Sequence, residues 1–276
     1  MDYKRAPLPF VGQKRNFLRA FKKVIEEKIP NDGEGFTILD AFGGSGLLSH
    51  TAKKLKPKAR VIYNDFDNYA ERLANIEDTN RLRRLLFNAL QKCDNKRKLN
   101  KEQKEEIINI IKSFDGYVDM ESIRGWITFS GSQPRTLEEL FKFDFWKQVR
   151  SSDYPPCDHY LDGLEVVHED FESLLNRFKN DKKCIYVLDP PYICTLQSAY
   201  KKERYFDLID FMKLVNLCRR PFIFFSASKS EFIRFIDYLI EYKLGNYTDF
   251  ENYERITEKG VTGKTCVYED NMIYKF

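Results

Sequence analysis

The segment Phe36–Leu55, FTILDAFGGSGLLSHTAKKL, passes from an apolar, strand-like run through a glycine-rich turn into a helical pattern. A second unit of the same kind, ARVIYNDFDNYAERLANI, follows at once. Consecutive strand–turn–helix units imply a parallel sheet with helices on its faces, because the crossover between parallel strands needs a helix-length connection. After an interruption the alternation resumes as GLEVVHEDFESLLNRF, then CIYVLDPPY, then YFDLIDFMKLVNLCRR and PFIFFSAS, with KSEFIRFIDYLIEYK behind them. The tail, YTDFENYERITEKGVTGKTCVYEDNMIYKF, reads as two strands around a glycine-containing turn, antiparallel at the sheet edge. Ahead of the first unit, NFLRAFKKVIEEK places Phe17, Ala20, Phe21, Val24 and Ile25 on one helical face. The expected fold is α/β, a Rossmann-like, mostly parallel sheet with an antiparallel edge.

The interruption covers residues 77–162 and has a different composition. It holds a basic helical stretch, a second helix in KEQKEEIINIIKSF, and a region rich in Trp, Phe, Tyr, Gly, Ser and Pro. We read it as an inserted, mainly helical subdomain within a catalytic domain made of residues 1–76 and 163–276. The stretch Arg81–Lys104 carries nine Lys or Arg against two acids, a net +7. The whole chain has a net charge of only +4, so positive charge is concentrated here. Such a stretch suits either a polyanion-binding face or a solvated helical surface. The six cysteines show no C-x-x-C pair and the three histidines no ligand spacing, which argues against a disulfide framework or a metal centre. No apolar run has the length of a membrane span or signal peptide, and a cytoplasmic location is expected.

Two motifs carry chemistry. In the first, ILDAFGGSGLLS, the glycines let the backbone turn tightly and approach a ligand, with a helix N-terminus behind. The pattern from Gly44 is G-x-G-x-x-S, which lacks the third glycine of the dinucleotide fingerprint. Asp65 lies 19 residues beyond Gly46 at a strand end, where an acid can accept from a ribose hydroxyl. In the second motif the strand YVL runs into Asp189, Pro190, Pro191 and Tyr192. Proline has no N–H, so this turn offers acceptors and an aromatic face with few donors. An exocyclic amino group is its complement. Its two hydrogens can be accepted by the Asp189 carboxylate and the Pro190 carbonyl, which returns electron density to a poorly nucleophilic nitrogen, while Tyr192 stacks on the ring.

DPPY together with FGGSG resembles the DNA adenine-N6 methyltransferases that use S-adenosylmethionine. The order of parts, cofactor motif, insertion, then catalytic motif, is similar to their alpha group. PFVGQKRNFL, residues 9–18, resembles that group's P-F-x-G-x-K element. The resemblance implies cofactor roles for Phe10, Gly12 and Lys14, with Lys14 near the methionine end of the cofactor. Asp40, Phe42, Gly44 and Gly46 would form the turn beneath it and Asp65 would bind the ribose. Asp170-Phe171 resembles an acidic–aromatic pair beside the cofactor's adenine, although a helix N-cap followed by a core phenylalanine is an equal reading. Asp189, Pro190, Pro191 and Tyr192 would be catalytic.

The resemblance also implies a DNA partner from which the target adenine is flipped, no metal, and no obligate protein partner. Arg81, Arg83, Arg84, Lys96, Arg97, Lys98 and Arg124 are the candidate phosphate contacts, and Arg135, in a Gly/Ser/Pro loop, a candidate base contact. Trp126 and Phe129 read as core residues. Three alternatives stay open at this point: the same fold acting on cytosine N4 or another amine, a DNA-binding relative without activity, and an NAD-dependent oxidoreductase.

Overall fold

A computed structural model describes residues 3–91, 93, 98–129, 134–193, 206–227, 231–262 and 266–276; side chains are described outside 259–268. A 3-10 turn, Arg15–Phe17, leads into α1 (Leu18–Lys28), followed by β1 (Thr37–Asp40), α2 (Leu47–Leu55) and β2 (Arg60–Asn64). Next come α3 (Tyr69–Ala74), α4 (Ile76–Ala89), α5 (Lys101–Ser113), α6 (Met120–Ile127) and α7 (Leu137–Leu140). The remainder is β3 (Leu164–Val167), α8 (Phe171–Phe178), β4 (Cys184–Leu188), α9 (Leu208–Leu217), β5 (Phe222–Ala227), α10 (Phe232–Glu241), α11 (Tyr247–Phe250), β6 (Glu254–Thr262) and β7 (Cys266–Lys275).

The chain divides into two compact units. The first, residues 1–5, 12–67 and 160–276, contains a sheet of order β3-β2-β1-β4-β5-β7-β6. Strands β1 to β5 are mutually parallel, and β7 runs antiparallel between β5 and β6. This confirms the expected α/β class with its antiparallel edge. Strands β1, β4 and β5 are buried along their whole length, as strands covered on both faces must be. One face packs Leu39, Tyr186, Leu188, Phe222 and Phe224 against α8, α9 and α10. The other packs Ile38, Ile185, Val187, Ile223 and Phe225 against α1 and α2. The chain runs from β1 outward through β2 to β3, then returns to place β4 on the other side of β1. The strand order therefore reverses between β1 and β4, and open α/β sheets bind ligands beyond the carboxyl ends of the strands at such a point. Asp40 ends β1 and Asp189 follows β4, so both motifs meet at that edge.

The second unit, residues 6–11 and 68–159, contains α3 to α7. Its N-terminal strip is tied in by polar contacts of Tyr69 and Arg72. Leu8 N–H donates to the Tyr69 hydroxyl and the same hydroxyl donates to the Leu8 carbonyl. Arg72 grips Asp119 with two bonds, 2.7 and 3.1 Å, and donates a third to the Pro9 carbonyl. Arg72 and Asp119 are 3% and 2% exposed. Removing one partner of such a pair strands a buried charge. Asp119→Ala is expected to destabilise this unit by about 3–5 kcal/mol. Replacing both residues with apolar ones of similar volume should recover most of that loss in chemical denaturation.

Candidate functional site

At the end of β4 the chain turns through Asp189, Pro190, Pro191 and Tyr192. Both prolines are buried or nearly so, which fixes the turn without using backbone donors. The Asp189 carboxylate is met by Lys14, whose Nζ lies 2.6 Å from Oδ2 and 2.9 Å from the Gly12 carbonyl. The same ammonium sits 5.3 Å from the centroid of the Tyr192 ring. Lys14 is held by the 3-10 turn that it caps, whose Phe17 packs edge-on against Phe225 of β5 at 5.5 Å. Burial pushes the Asp189 carboxyl above the usual carboxylate range, and the Lys14 ammonium opposes that shift.

Asp40, on the neighbouring strand end, has no lysine partner among the described residues. It accepts from the Ser49 hydroxyl at 2.6 Å, while its other oxygen makes no well-formed hydrogen bond among the described residues. Burial raises its carboxyl to about 7, with the nearby Asp189 charge adding to the rise. Two carboxyls at one sheet edge thus stand in different surroundings, one against a lysine ammonium and one against a serine hydroxyl, and burial raises both.

The glycine turn is shaped by two tyrosines. Gly46 caps α2 with φ +69°, a conformation that favours glycine. A Cβ on Gly43 would lie 2.2 Å from the Tyr63 ring, so only glycine lets the turn lie flat on that ring. The Tyr63 hydroxyl lies 2.7 Å from the Gly44 carbonyl and 3.0 Å from Asp65 Oδ1, and Tyr160 donates to the Ser45 carbonyl at 3.0 Å. Asn64 bridges the Ala41 carbonyl and the Glu169 backbone, joining the ends of β1, β2 and β3. The result is a backbone cradle with the Asp65 carboxylate at its edge.

The sequence candidates fall into distinct places. Gly12, Lys14, Asp40, Phe42, Gly44, Gly46, Asp65, Asp170, Phe171 and the DPPY residues belong to the first unit, whereas Phe10 lies in the second, edge-on to Tyr69 at 5.8 Å. Asp170 is the N-cap of α8 and accepts from Glu172 N–H, while Phe171 packs with Phe42 and Phe206. The helix-cap reading of that pair is therefore what the geometry displays. Phe66, which the motif reading passed over, is 41% exposed beside Asp65 and stacks on His168 at 5.1 Å. An aromatic directly after the strand-end acid was the available signal. Asp270 on β7, also passed over, had no local signal.

The basic candidates are largely committed to internal partners. Arg83 is buried and binds Asp153 and the carbonyls of Arg150 and Ser151. Arg84 joins Asp153 to Glu77, and Arg81 pairs with Asp78 and covers the Phe114 ring. Lys98 pairs with Asp144 and Arg124 with Glu121. Arg135 is exposed; Lys96 and Arg97 lie outside the described residues. Trp126 is a core residue as expected, but Phe129 is 58% exposed, its ring tilted 49° to that of Trp146 at 5.6 Å.

The chain matches the family of D12 class N6 adenine-specific DNA methyltransferases over residues 10–221, and it belongs to that family. A protein of Haemophilus influenzae (strain Rd), provisionally named a methyltransferase, is 56% identical over 275 residues, spanning 99% of this chain and 93% of its own length. Among the described residues no helix is long and apolar enough to cross a membrane, and no cluster of metal-ligating side chains is assembled.

The state of Asp40 carries a pH dependence. Its native carboxyl, at about 7, binds a proton more tightly than a free one at 3.8, so its contribution to stability is complete below about pH 4 and is lost as pH rises through 7. Asp40→Asn should flatten this fall, which is on the order of 4 kcal/mol for a shift of about three units. Denaturant titrations across this range read the slope directly.

Proposed function

We propose that the protein transfers the methyl group of S-adenosylmethionine to the N6 amino group of adenine in DNA. The observation that carries this reading is the position of Asp189. It stands at the carboxyl end of β4, at the reversal point of the sheet, in a turn of acceptors beside the glycine cradle. The cradle fits such a cofactor. Its glycines leave room for close backbone approach, Asp65 suits a ribose hydroxyl, and Phe66 presents an aromatic face beside it. When bound, the cofactor supplies an electrophilic methyl group on a sulfonium.

Asp189 and the Pro190 carbonyl would accept the two amino hydrogens and draw the nitrogen toward a tetrahedral shape, which makes its lone pair available for methyl transfer. Tyr192 stacks on the flipped base. Transfer of the methyl group, with the sulfonium leaving as a neutral thioether, would place the positive charge on the amino nitrogen. It then loses a proton to solvent, so Asp189 is not required to abstract one first. Catalysis is mainly positioning and electrostatics, with no covalent enzyme intermediate. The Lys14 ammonium, 2.6 Å away, favours the ionised form of Asp189 against the upward push of burial.

The insertion, residues 77–162, is proposed to read the DNA. The internal pairing of Arg81, Arg83 and Arg84 makes them scaffold residues, and exposed groups such as Arg135 are the better candidates for nucleic-acid contact. Asp189→Ala should reduce methyl transfer by at least about 10²-fold while the cofactor still binds. Turnover near that of wild type would refute the mechanism. Mass spectrometry of nucleosides from treated DNA and RNA identifies the methylated base, and N4-methylcytosine or an RNA product would replace this reading.

A further inference from the structure

A carboxylate paired one-to-one with a lysine is neutral overall and has little to offer a cation. Yet the proposed reaction, on which this inference rests, keeps a positive charge at the sheet edge throughout. The charge begins on sulfur and ends on the methylated nitrogen.

The same edge holds a third charged side chain. Asp270 lies on β7 opposite Ala227, the last residue of β5. Side chains alternate along a strand, so Asp270 shares the face of Met272, which is buried with Phe17 and Phe225. Phe17 closes the 3-10 turn that Lys14 caps, so this is the face on which Lys14 sits. The electrostatics agree with the topology. The Lys14 ammonium draws the Asp270 carboxyl down against the upward push of burial, and Asp270 in turn pushes Asp189 up. No element of the Asp189–Lys14 pair requires a second acid for its own geometry, since Lys14 already contacts Asp189 and the Gly12 carbonyl.

We propose that Asp270 is a positioning residue which completes an Asp189–Lys14–Asp270 cluster of net charge −1, so that the site favours a cationic sulfonium cofactor over its uncharged thioether product. Lys14 favours the ionised form of Asp189, and Asp270 restores the negative charge that Lys14 offsets. The nearby Asp40 titrates in the same region and contributes its own charge above its pKa.

The test compares calorimetric binding of S-adenosylmethionine and S-adenosylhomocysteine to the wild-type protein, Asp270→Asn and Asp270→Glu, at one pH on each side of the Asp40 titration. Asp270→Asn is expected to weaken the sulfonium ligand about five- to tenfold, as loss of one partly screened charge would, and to leave the thioether unchanged. Asp270→Glu should restore the difference. An equal loss for both ligands, as a merely structural strand residue would give, overturns the inference, and so does no loss for either. If the wild-type protein binds neither ligand, the cofactor reading itself fails, a result distinct from both.

Discussion

A carboxylate at the end of a fully buried strand is costly unless something compensates it, and among the described residues the compensating partner is Lys14. Asp189 leaves β4 between two strands that are themselves buried, in a turn whose prolines cannot donate. Lys14 arrives from the opposite end of the sequence, and its place depends on the turn and helix that pack Phe17 against β5. The ion pair thus ties the N-terminal segment to the centre of the sheet. Its contacting atoms are 2.6 Å apart, yet the residues are 175 positions apart in the chain. That long-range closure is what sets an ammonium against the carboxylate of the turn.

The second strand end shows what happens without such a partner. Asp40 ends the adjacent parallel strand in register with Val187, accepts from the Ser49 hydroxyl, and has its carboxyl raised by burial to about 7. The difference between the two acids is therefore environmental, set by which neighbour the fold delivers. The glycine turn that begins beyond Asp40 is likewise shaped by neighbours. Tyr63 fills the space that a Cβ on Gly43 would need, and its hydroxyl faces both the turn and the strand-end acid. The cradle and Asp65 are one mechanical piece.

Much of this was legible because it is local. The strand–glycine–helix units, the helical spacing of α1 and the paired C-terminal strands follow from periodicity and turn chemistry, and they appear as read. The acids at the strand ends were visible because a strand period fixes where a strand stops. Asp270 was not visible, since its place at this edge comes from antiparallel pairing with a strand more than forty residues earlier. Asp170 was ambiguous for a different reason. An acid before a helix is a good cap whatever else it does, so sequence alone could not separate the two uses.

The arginines of α4 show the same limit in electrostatic form. Counting charges along Arg81–Lys104 treats sequence neighbours as the whole field, but the field at a surface depends on partners in three dimensions. Asp153, about seventy residues away, takes both Arg83 and Arg84, and Asp78 and Glu77 take part of the rest. A guanidinium so engaged must break an existing pair before it can replace a counterion on a phosphate, which reduces its net contribution to binding. The basic stretch is therefore partly a folding device, since its arginines hold the 150–154 segment against α4 through carboxylate and carbonyl acceptors. Charge excess in a sequence marks a polyanion-binding face only after these internal pairs have been subtracted, and in this unit the subtraction moves the emphasis from α4 to exposed groups such as Arg135.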